Sequence, residues 1–556
     1  MYAWIVARRE AYMKNSCIKQ RIGLTNAEMA TRVNLDALIR REDFDETVAP
    51  TIPQQGKRKE TLSVTDLKKG EFFFGVLRKP DFQRETNDWD SAKILDLIKS
   101  FLCKDLIPAI ILWQSKSNLI FVIDGSHRLS ALAAWINDDY GNGEISKQFY
   151  EGKIPDEQIE IGEKIRGLIN KSIGSYSDHK LAVDHPDKVT PEIESRSRIL
   201  GAVSLQVQWV EGDSKNAENS FRKINEQGVP INSTEKKILN ARRKPIGFAS
   251  RAIIRGGQGH NYWVDFDAAV QKSLKEMAKQ VHELLFLPKL KNPIKTLELP
   301  LAGKVFSAQS LPIVWDFIRI VNPLDKIDAD DPDGTLTLNF LDNCKKTAQR
   351  INSDDQSSLG LHPIVYVYSE NGRHKPASLY AITNLILDFE KKKYFEDFIC
   401  VREQFEKLLL ENDYIIQQIV RYRRGAIASH ELIKDCYLAC IQKLLAKKTI
   451  STVIAEISQS EEFSFLTKQT VELPSNPAKQ FSRAVKSRVY IKSALEGALK
   501  CEICGGYVHT SSISIDHKTD KKFGGDASAE NAQITHPYCN SAKDKLLPLI
   551  AKFKAS

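Results

Sequence analysis

Four residues in two closely spaced pairs, Cys501-x-x-Cys504 and His536-x-x-Cys539, have the types and spacing that one tetrahedral zinc ion draws together. Protein would fill all four positions of that ion, so the zinc expected here is structural, a staple for a short piece of chain. Between the pairs lie Asp516-His517, entered from the strand-like run 512–516, then a basic turn through Gly525, then Asn531; Asn540 directly follows the last ligand. These types suit phosphodiester hydrolysis. That reaction needs an activated water on one side of phosphorus and a cation against the charge developing on the phosphoryl and leaving oxygens. His517 can take a proton near neutral pH, as a general base must. Asp516 and Asn540 offer hard oxygen atoms to a divalent ion such as Mg2+ or Mn2+.

A second group, Asp124-Gly125-Ser126-His127-Arg128, falls where the pattern turns from strand to helix. Backbone N–H groups at a helix start, together with an arginine, can hold phosphate. A charged turn that merely caps the helix fits the same spacing. Upstream stand Pro80-Asp81-Phe82-Gln83-Arg84-Glu85 and Trp89; downstream comes Phe221-x-x-x-Asn225, followed by Gly228, Ile231 and Glu235.

The elements that must position these residues follow from periodicity. Residues 26–40 carry apolar positions at helical spacing, with a polar connector over 50–61. From 62 to 136 the pattern predicts a helix over 91–102 capped by the acidic turn 88–90, strands at 109–113 and 119–123, and a helix from 127. A loop is expected over 175–191, where polar residues and prolines cluster, then a strand over 203–210 and helix from 216. Beyond 265 the period is mostly helical, with one strand expected at 364–368 and acidic or polar loops at 325–335 and 352–359. A linker rich in Pro, Ser and Asn over 472–480 precedes the cysteine-bearing tail. The fold class is therefore α+β and multidomain: a helical lead and connector over 1–61, an α/β domain over 62–240, a mostly helical middle domain over 241–471 and a zinc-stapled module over 481–556.

Composition sets the outer limits. With 556 residues, 42% hydrophobic and 27% charged, the chain is globular and long enough for several cores. Six of its nine cysteines are scattered through apolar sequence, the pattern of reduced core thiols. No apolar run approaches the roughly 18 residues of a membrane span, and the opening stretch lacks a signal-peptide pattern, so a cytoplasmic address is expected. Net charge is +9, and residues 481–556, with twelve Lys/Arg against seven Asp/Glu, hold +5 of it. The tail is the expected phosphate-contacting part.

The segments CEIC, IDH, ENAQ and HPYCNSAK resemble the HNH nuclease family, a ββα-metal fold, over 500–545. The resemblance implies a DNA endonuclease with His517, Asp516, Asn531 and Asn540 as catalytic residues, Asn531 holding the loop that orients His517. Asp520 stands where the family often has proline, and His536 where it usually has cysteine. Asp520 reads as a second metal ligand or a turn cap, and short acidic side chains favour the cap. Residues 62–240 resemble the ParB-like domain of GmrSD-type restriction proteins. That resemblance implies a nucleotide-binding or nucleotide-hydrolysing pocket built from Arg84, Asp124, Gly125, Ser126, His127, Arg128, Phe221 and Asn225, with an NTP as ligand. Ser126 stands where glutamine is usual, which points to binding rather than hydrolysis. Phe221 also fits a plain helical core position one turn before Asn225. The phosphate loop is similar to that of sulfiredoxin as well, but serine replaces the reactive cysteine and excludes sulfinic-acid repair.

The combined expectation is a defence nuclease that cuts foreign or phage DNA under the control of a nucleotide, with no membrane partner and room for a homo-oligomer. A non-catalytic, NTP-switched DNA-binding protein with a C-terminal zinc ribbon is the rival; a partition factor is disfavoured, having no need of DH, N and CN around zinc. The acidic loop DADDPDG, counted from Asp328, puts Gly334 at position seven instead of six and Asn339 where a bidentate Glu belongs, so it is no calcium loop. Arg421-Tyr422-Arg423-Arg424 reads as a solvated helix end more readily than a DNA contact. His509 is a reserve zinc ligand should His536 lie elsewhere.

Overall fold

The computed structural model describes residues 33–44, 58–81, 83, 89–152, 154–227, 233–305, 309–322, 329–467 and 480–555. Residues 50–57 of the connector expected over 50–61, residues 472–479 of the linker expected over 472–480, and Arg84 lie outside them. The chain divides into two compact units, Met1–Leu239 with Gln258–Asn261, and Asn240–Gly257 with Tyr262–Ser556. The helical middle segment and the zinc-stapled tail thus share one unit.

The first unit is built on a six-stranded mixed sheet: β1 (Arg41–Glu42), β2 (Thr61–Leu62), β3 (Leu77–Pro80), β4 (Ile110–Gln114), β5 (Ile120–Asp124) and β6 (Leu205–Val210), in the order β1-β3-β5-β4-β6-β2. β5 runs parallel to β3 and antiparallel to β4, and β4 runs parallel to β6. Alternation along β4 and β5 feeds two cores. Leu112 and Val122 pack with Ile94, Ile98, Leu129 and Trp135, while Trp113, Phe121 and Ile123 pack with Ala217 and Phe221. Burial on both faces explains why these strands read as near-continuous apolar runs.

Several expected elements form with small boundary shifts: the helix Ser91–Leu102, whose N-cap Asp90 accepts from Lys93 N at 2.9 Å; the hairpin β4–β5; β6; and the helix Ser214–Gln227. Two expectations fail. The polar stretch 175–191 is mostly helix, Tyr176–Asp184, opened by a capping box in which Ser175 and Asp178 bond each other's backbone N–H. His179 of that helix is buried with its ring 5.3 Å from Trp135, so tertiary packing decides where composition suggested a loop. Of the helical lead, residues 1–32 lie outside the description, and 33–40 contain only the turn Asp36–Leu38. The buried Asp36 holds Arg41 (2.6 Å) and Lys79 (3.0 Å), tying the chain to β1 and β3 instead of continuing a helix.

In the second unit the helix Pro376–Lys392 is buried along most of its length among Ser310–Val321, Ala426–Leu445 and the one-turn helix Pro363–Tyr366. That last element replaces the strand expected at 364–368. Pro363 presets the first helical φ, the His362 ring accepts from Ile364 N at 3.3 Å, and a short, wholly buried apolar run carries no period to tell helix from strand. The acidic loop near 331 has its own use. Asp331 accepts from Thr337 N (2.7 Å) and Asp333 from Thr335 N (2.9 Å), starting the helix Thr335–Ile351. Arg421–Arg424 do end a helix, Tyr414–Arg423, where Tyr422 stacks on Phe465 at 4.1 Å. Of the scattered cysteines, Cys344, Cys436 and Cys440 are buried, but Cys103 is exposed. Among the described residues no helix is long and apolar enough to cross a membrane.

Candidate active site and zinc centre

The tail's chemistry hangs on a two-stranded antiparallel ribbon, β7 (Ser514–His517) and β8 (Ala532–Thr535), and the short helix Pro537–Ser541 that follows. Cys501, Cys504, His536 and Cys539 are all buried, with one ligand atom of each within 4.8 Å of the others. The first pair sits on a tight turn closed by Cys501 N to Gly506 O and Gly505 N to Cys501 O, both 2.8 Å. His536 donates through Nε2 to Tyr507 O at 3.0 Å, which fixes the tautomer and turns Nδ1 toward Cys504 Sγ (3.4 Å) and Cys539 Sγ (3.8 Å). Crowding sets the thiol chemistry. Hydrogen bonds from its neighbours pull the Cys501 thiol down, bonding to Cys501 pushes Cys539 up, and burial raises Cys504. A dication lets all three ionise together. The donor set fits a closed structural zinc centre.

Helix Phe395–Glu411 of the middle segment supplies what surrounds that centre. Arg402, fully buried, donates to Glu406 Oε1 (2.7 Å), Gly360 O (2.8 Å) and Leu359 O, and its Nη1 lies 3.2 Å from His536 Nδ1. An ion at the centre would take over that lone pair. Three thiolates and a neutral imidazole around a dication carry one net negative charge, which Arg402 faces. Glu406 also accepts from Tyr507 N (2.7 Å) and Tyr366 O–H (3.0 Å). His509 is not part of the zinc cluster. It lies buried with Asn352 Nδ2 3.1 Å from its Nδ1 and Glu298 3.0 Å from its Nε2, and burial lowers its pKa.

The predicted catalytic residues lie on or beside the ribbon and on the helix that carries Cys539. Asp516 and His517 end β7. Asp516 Oδ2 accepts from Gln533 (2.7 Å), its partner across the ribbon, and lies 3.0 Å from Lys543 Nζ. Asn540, on the helix after the zinc ligands, donates its Nδ2 to Ser514 Oγ (2.8 Å) and Ile515 O (3.4 Å). Among the described residues no hydrogen bond occupies Asp516 Oδ1 or Asn540 Oδ1, so both hard oxygens are available to a divalent ion. Asn531 closes the loop after His517: its Oδ1 accepts from Thr519 N (2.8 Å), and its Nδ2 donates to Thr519 O (3.1 Å) and Asp526 O (2.7 Å). Asp520 makes no side-chain cap; it pairs with Lys543 at 2.8 Å, an ammonium that also donates to the His517 carbonyl. Lys543 depresses the Asp520 carboxyl below the usual range.

Gln533, Lys543 and Arg402 escaped sequence reasoning. Lys543 had a signal, standing three residues after Asn540; Arg402 and Glu406 had a fainter one, an i,i+4 ion pair inside an otherwise apolar helix.

In the first unit, Asp124 ends β5 and Gly125 turns the chain into the helix Ser126–Ile136. Gly125 has φ +95°, and a Cβ there would meet Ile110 Cδ1 at 2.6 Å, so the turn admits only glycine. Arg128 bonds back to Asp124 Oδ2 (2.6 Å) and to Pro108 O, an internal tie that a phosphate would have to share. Ser126 is buried, and the His127 ring lies near-parallel to Trp89 at 6.0 Å. Phe221 is a core residue packed under β5 with Trp113, Phe121 and Ile123. Asn225 falls on the same helix, Ser214–Gln227, one turn on.

Residues 63–242 match the family profile described as GmrSD restriction endonuclease, N-terminal domain, and residues 501–546 match that of the HNH endonuclease. No curated protein and no solved structure matches the chain. The chain therefore joins a GmrSD-type N-terminal domain to a C-terminal HNH endonuclease domain.

Proposed function

We propose that this chain is a metal-dependent DNA endonuclease of the restriction type, in which the HNH domain cuts and the N-terminal domain, a ParB-like fold, binds a nucleotide that controls cutting. The observation that carries the nuclease reading is that Asp516 and His517 end β7 while Asn540 is bonded to Ser514 and Ile515 of the same strand, with Oδ1 of Asp516 and of Asn540 free of hydrogen bonds among the described residues. A bare zinc ribbon has no need of that arrangement.

His517 takes the proton of the attacking water, on a strand end fixed by Asn531 through the Thr519 backbone and by Lys543 through the His517 carbonyl. Gln533 and Lys543 hold Asp516 by Oδ2 and leave its Oδ1 without a hydrogen bond; the bonds from Asn540 Nδ2 to β7 do the same for its Oδ1. Asp516 Oδ1 and Asn540 Oδ1 would hold a divalent ion, which would supply positive charge against the phosphoryl and leaving oxygens. Zinc held by Cys501, Cys504, His536 and Cys539 would be structural, tying the helix that bears Asn540 to the turn at Cys501–Cys504. The biological reading is a cytoplasmic defence enzyme that cuts foreign DNA.

Incubating supercoiled plasmid with the zinc-loaded chain, with and without Mg2+, tests the chemistry. Metal-dependent nicking that His517→Ala abolishes is the expected result; no cleavage by the wild type under any divalent ion would overturn it. Nucleotide control is tested on the same assay. ATP, GTP or a deoxy form should alter the cleavage rate, and Arg128→Ala should remove that response by taking a charge-assisted phosphate contact away.

A further inference from the structure

The turn between His517 and Asn531 has a tip that the catalytic reading leaves unused. The 3-10 turn Lys521–Phe523 is closed by Phe523 N to Asp520 O (2.8 Å) and Gly525 N to Asp520 O (3.1 Å), with Gly524 at φ +88° turning the chain back. Phe523 stands at this tip with 75% of its surface in water. The Lys522 ammonium leans over its ring at 5.2 Å while pairing with Asp544 at 3.1 Å, an exposed pair that a phosphate can replace, and among the described residues Lys521 makes no ion pair. Lys518, at the base of the loop, also projects to the surface and reaches Glu530 O at 3.0 Å.

The tip is exposed but held. Asn531 bonds three backbone groups at the loop's base, Lys543 anchors Asp520, and a Cβ on Gly525 would come within 1.7 Å of Thr519 O, so that crossing is tightly packed. A loop backbone held in this way loses little freedom on binding. Phe523 stands six residues after His517, on the loop that Asn531 closes onto the strand bearing Asp516 and His517.

We propose that residues 518–525 form the DNA-gripping element of the nuclease, Phe523 stacking on bases next to the scissile phosphate while Lys521 and Lys522 hold the backbone. The proposal rests on the nuclease reading above. The tip favours nucleic acid over a protein partner: residues 518–525 carry three lysines and one aspartate, Asp520, already engaged by Lys543, with Asp526 and Glu530 following on the way back to Asn531. Lysine is depleted where proteins meet, whereas an aromatic ring among cations is what a nucleic acid strand uses.

The test measures duplex binding by fluorescence anisotropy across a salt series, using full-length zinc-loaded protein in a His517→Ala background. Phe523→Ala should weaken binding about tenfold or more with the salt slope unchanged, and with zinc content and melting as in the parent. Lys521→Ala should lower the slope of log K against log salt by about 1. Phe523→Trp should retain affinity, and its added indole emission should be quenched by DNA. Parental affinity in Phe523→Ala, an introduced indole that DNA leaves unquenched in Phe523→Trp, or an unchanged slope in Lys521→Ala overturns the proposal. If the wild type nicks DNA while these variants bind like the parent, the loop assignment fails and the nuclease reading stands; if the wild type never nicks, the nuclease reading itself fails.

Discussion

Replacing Arg402 with methionine should loosen the zinc centre although Arg402 ligates nothing. The guanidinium is wholly buried, pairs with a Glu406 that is 1% exposed, and donates to the Leu359 and Gly360 carbonyls. Removing one partner of a buried pair costs about 3–5 kcal/mol, because the other charge is left uncompensated in the interior. Glu406 keeps its bonds from Tyr366 and Tyr507, which places the expected loss near the lower end, about 3 kcal/mol. That corresponds to roughly a hundredfold in the equilibrium between zinc-bound and opened forms. The assay follows zinc release into a colorimetric chelator through a denaturant titration, so it reports the centre locally and does not assume two-state unfolding of the chain. Arg402→Met should release zinc at clearly lower denaturant than the parent. Adding Glu406→Gln should restore more than half of the loss, since the amide oxygen can keep the Tyr507 N–H, the amide NH2 can donate to the Tyr366 hydroxyl oxygen, and no charge is stranded. Zinc release from Arg402→Met at the parental midpoint, or a double variant weaker than the single, would refute the argument.

Three further outcomes follow from the site. His517→Ala should abolish cleavage while zinc content, read by atomic absorption, stays stoichiometric, because it removes the base and no ligand. Cys501→Ser should lose zinc and unfold the tail, a small ribbon with little core of its own; native melting with full zinc would contradict the ligand set. One base and one divalent ion address one phosphate at a time, so gels should show nicked circles before linear plasmid; linearisation by a demonstrably monomeric protein without the nicked form would sink this mechanism.

The residue groups proposed to carry this protein's chemistry are legible in its sequence. Two ligand pairs at zinc spacing, Asp516-His517 at the end of a short strand, Asn540 one residue past a ligand, and Asp124 to Arg128 at a strand-to-helix turn all depend on neighbours within a few residues, and short spacing survives folding unchanged. The β4–β5 hairpin and the helix Ser91–Leu102 were legible for the same reason, each having a period and a turn or cap of its own. Where the outcome depended on distant residues, the linear pattern misled. The 175–191 stretch became helix because Trp135 receives His179, and 364–368 became a helical turn inside a core that hides all its faces. Tertiary structure alone decided what holds the candidate site. Lys543 reaches Asp516 and Asp520 across the fold, Glu406 meets Tyr507 from a helix about a hundred residues earlier, and Arg402 lies against a zinc ligand 134 positions away. Such partners share no spacing that a sequence can display, since burial and charge compensation are properties of the packed chain, set only when the helical segment and the ribbon fold as one unit.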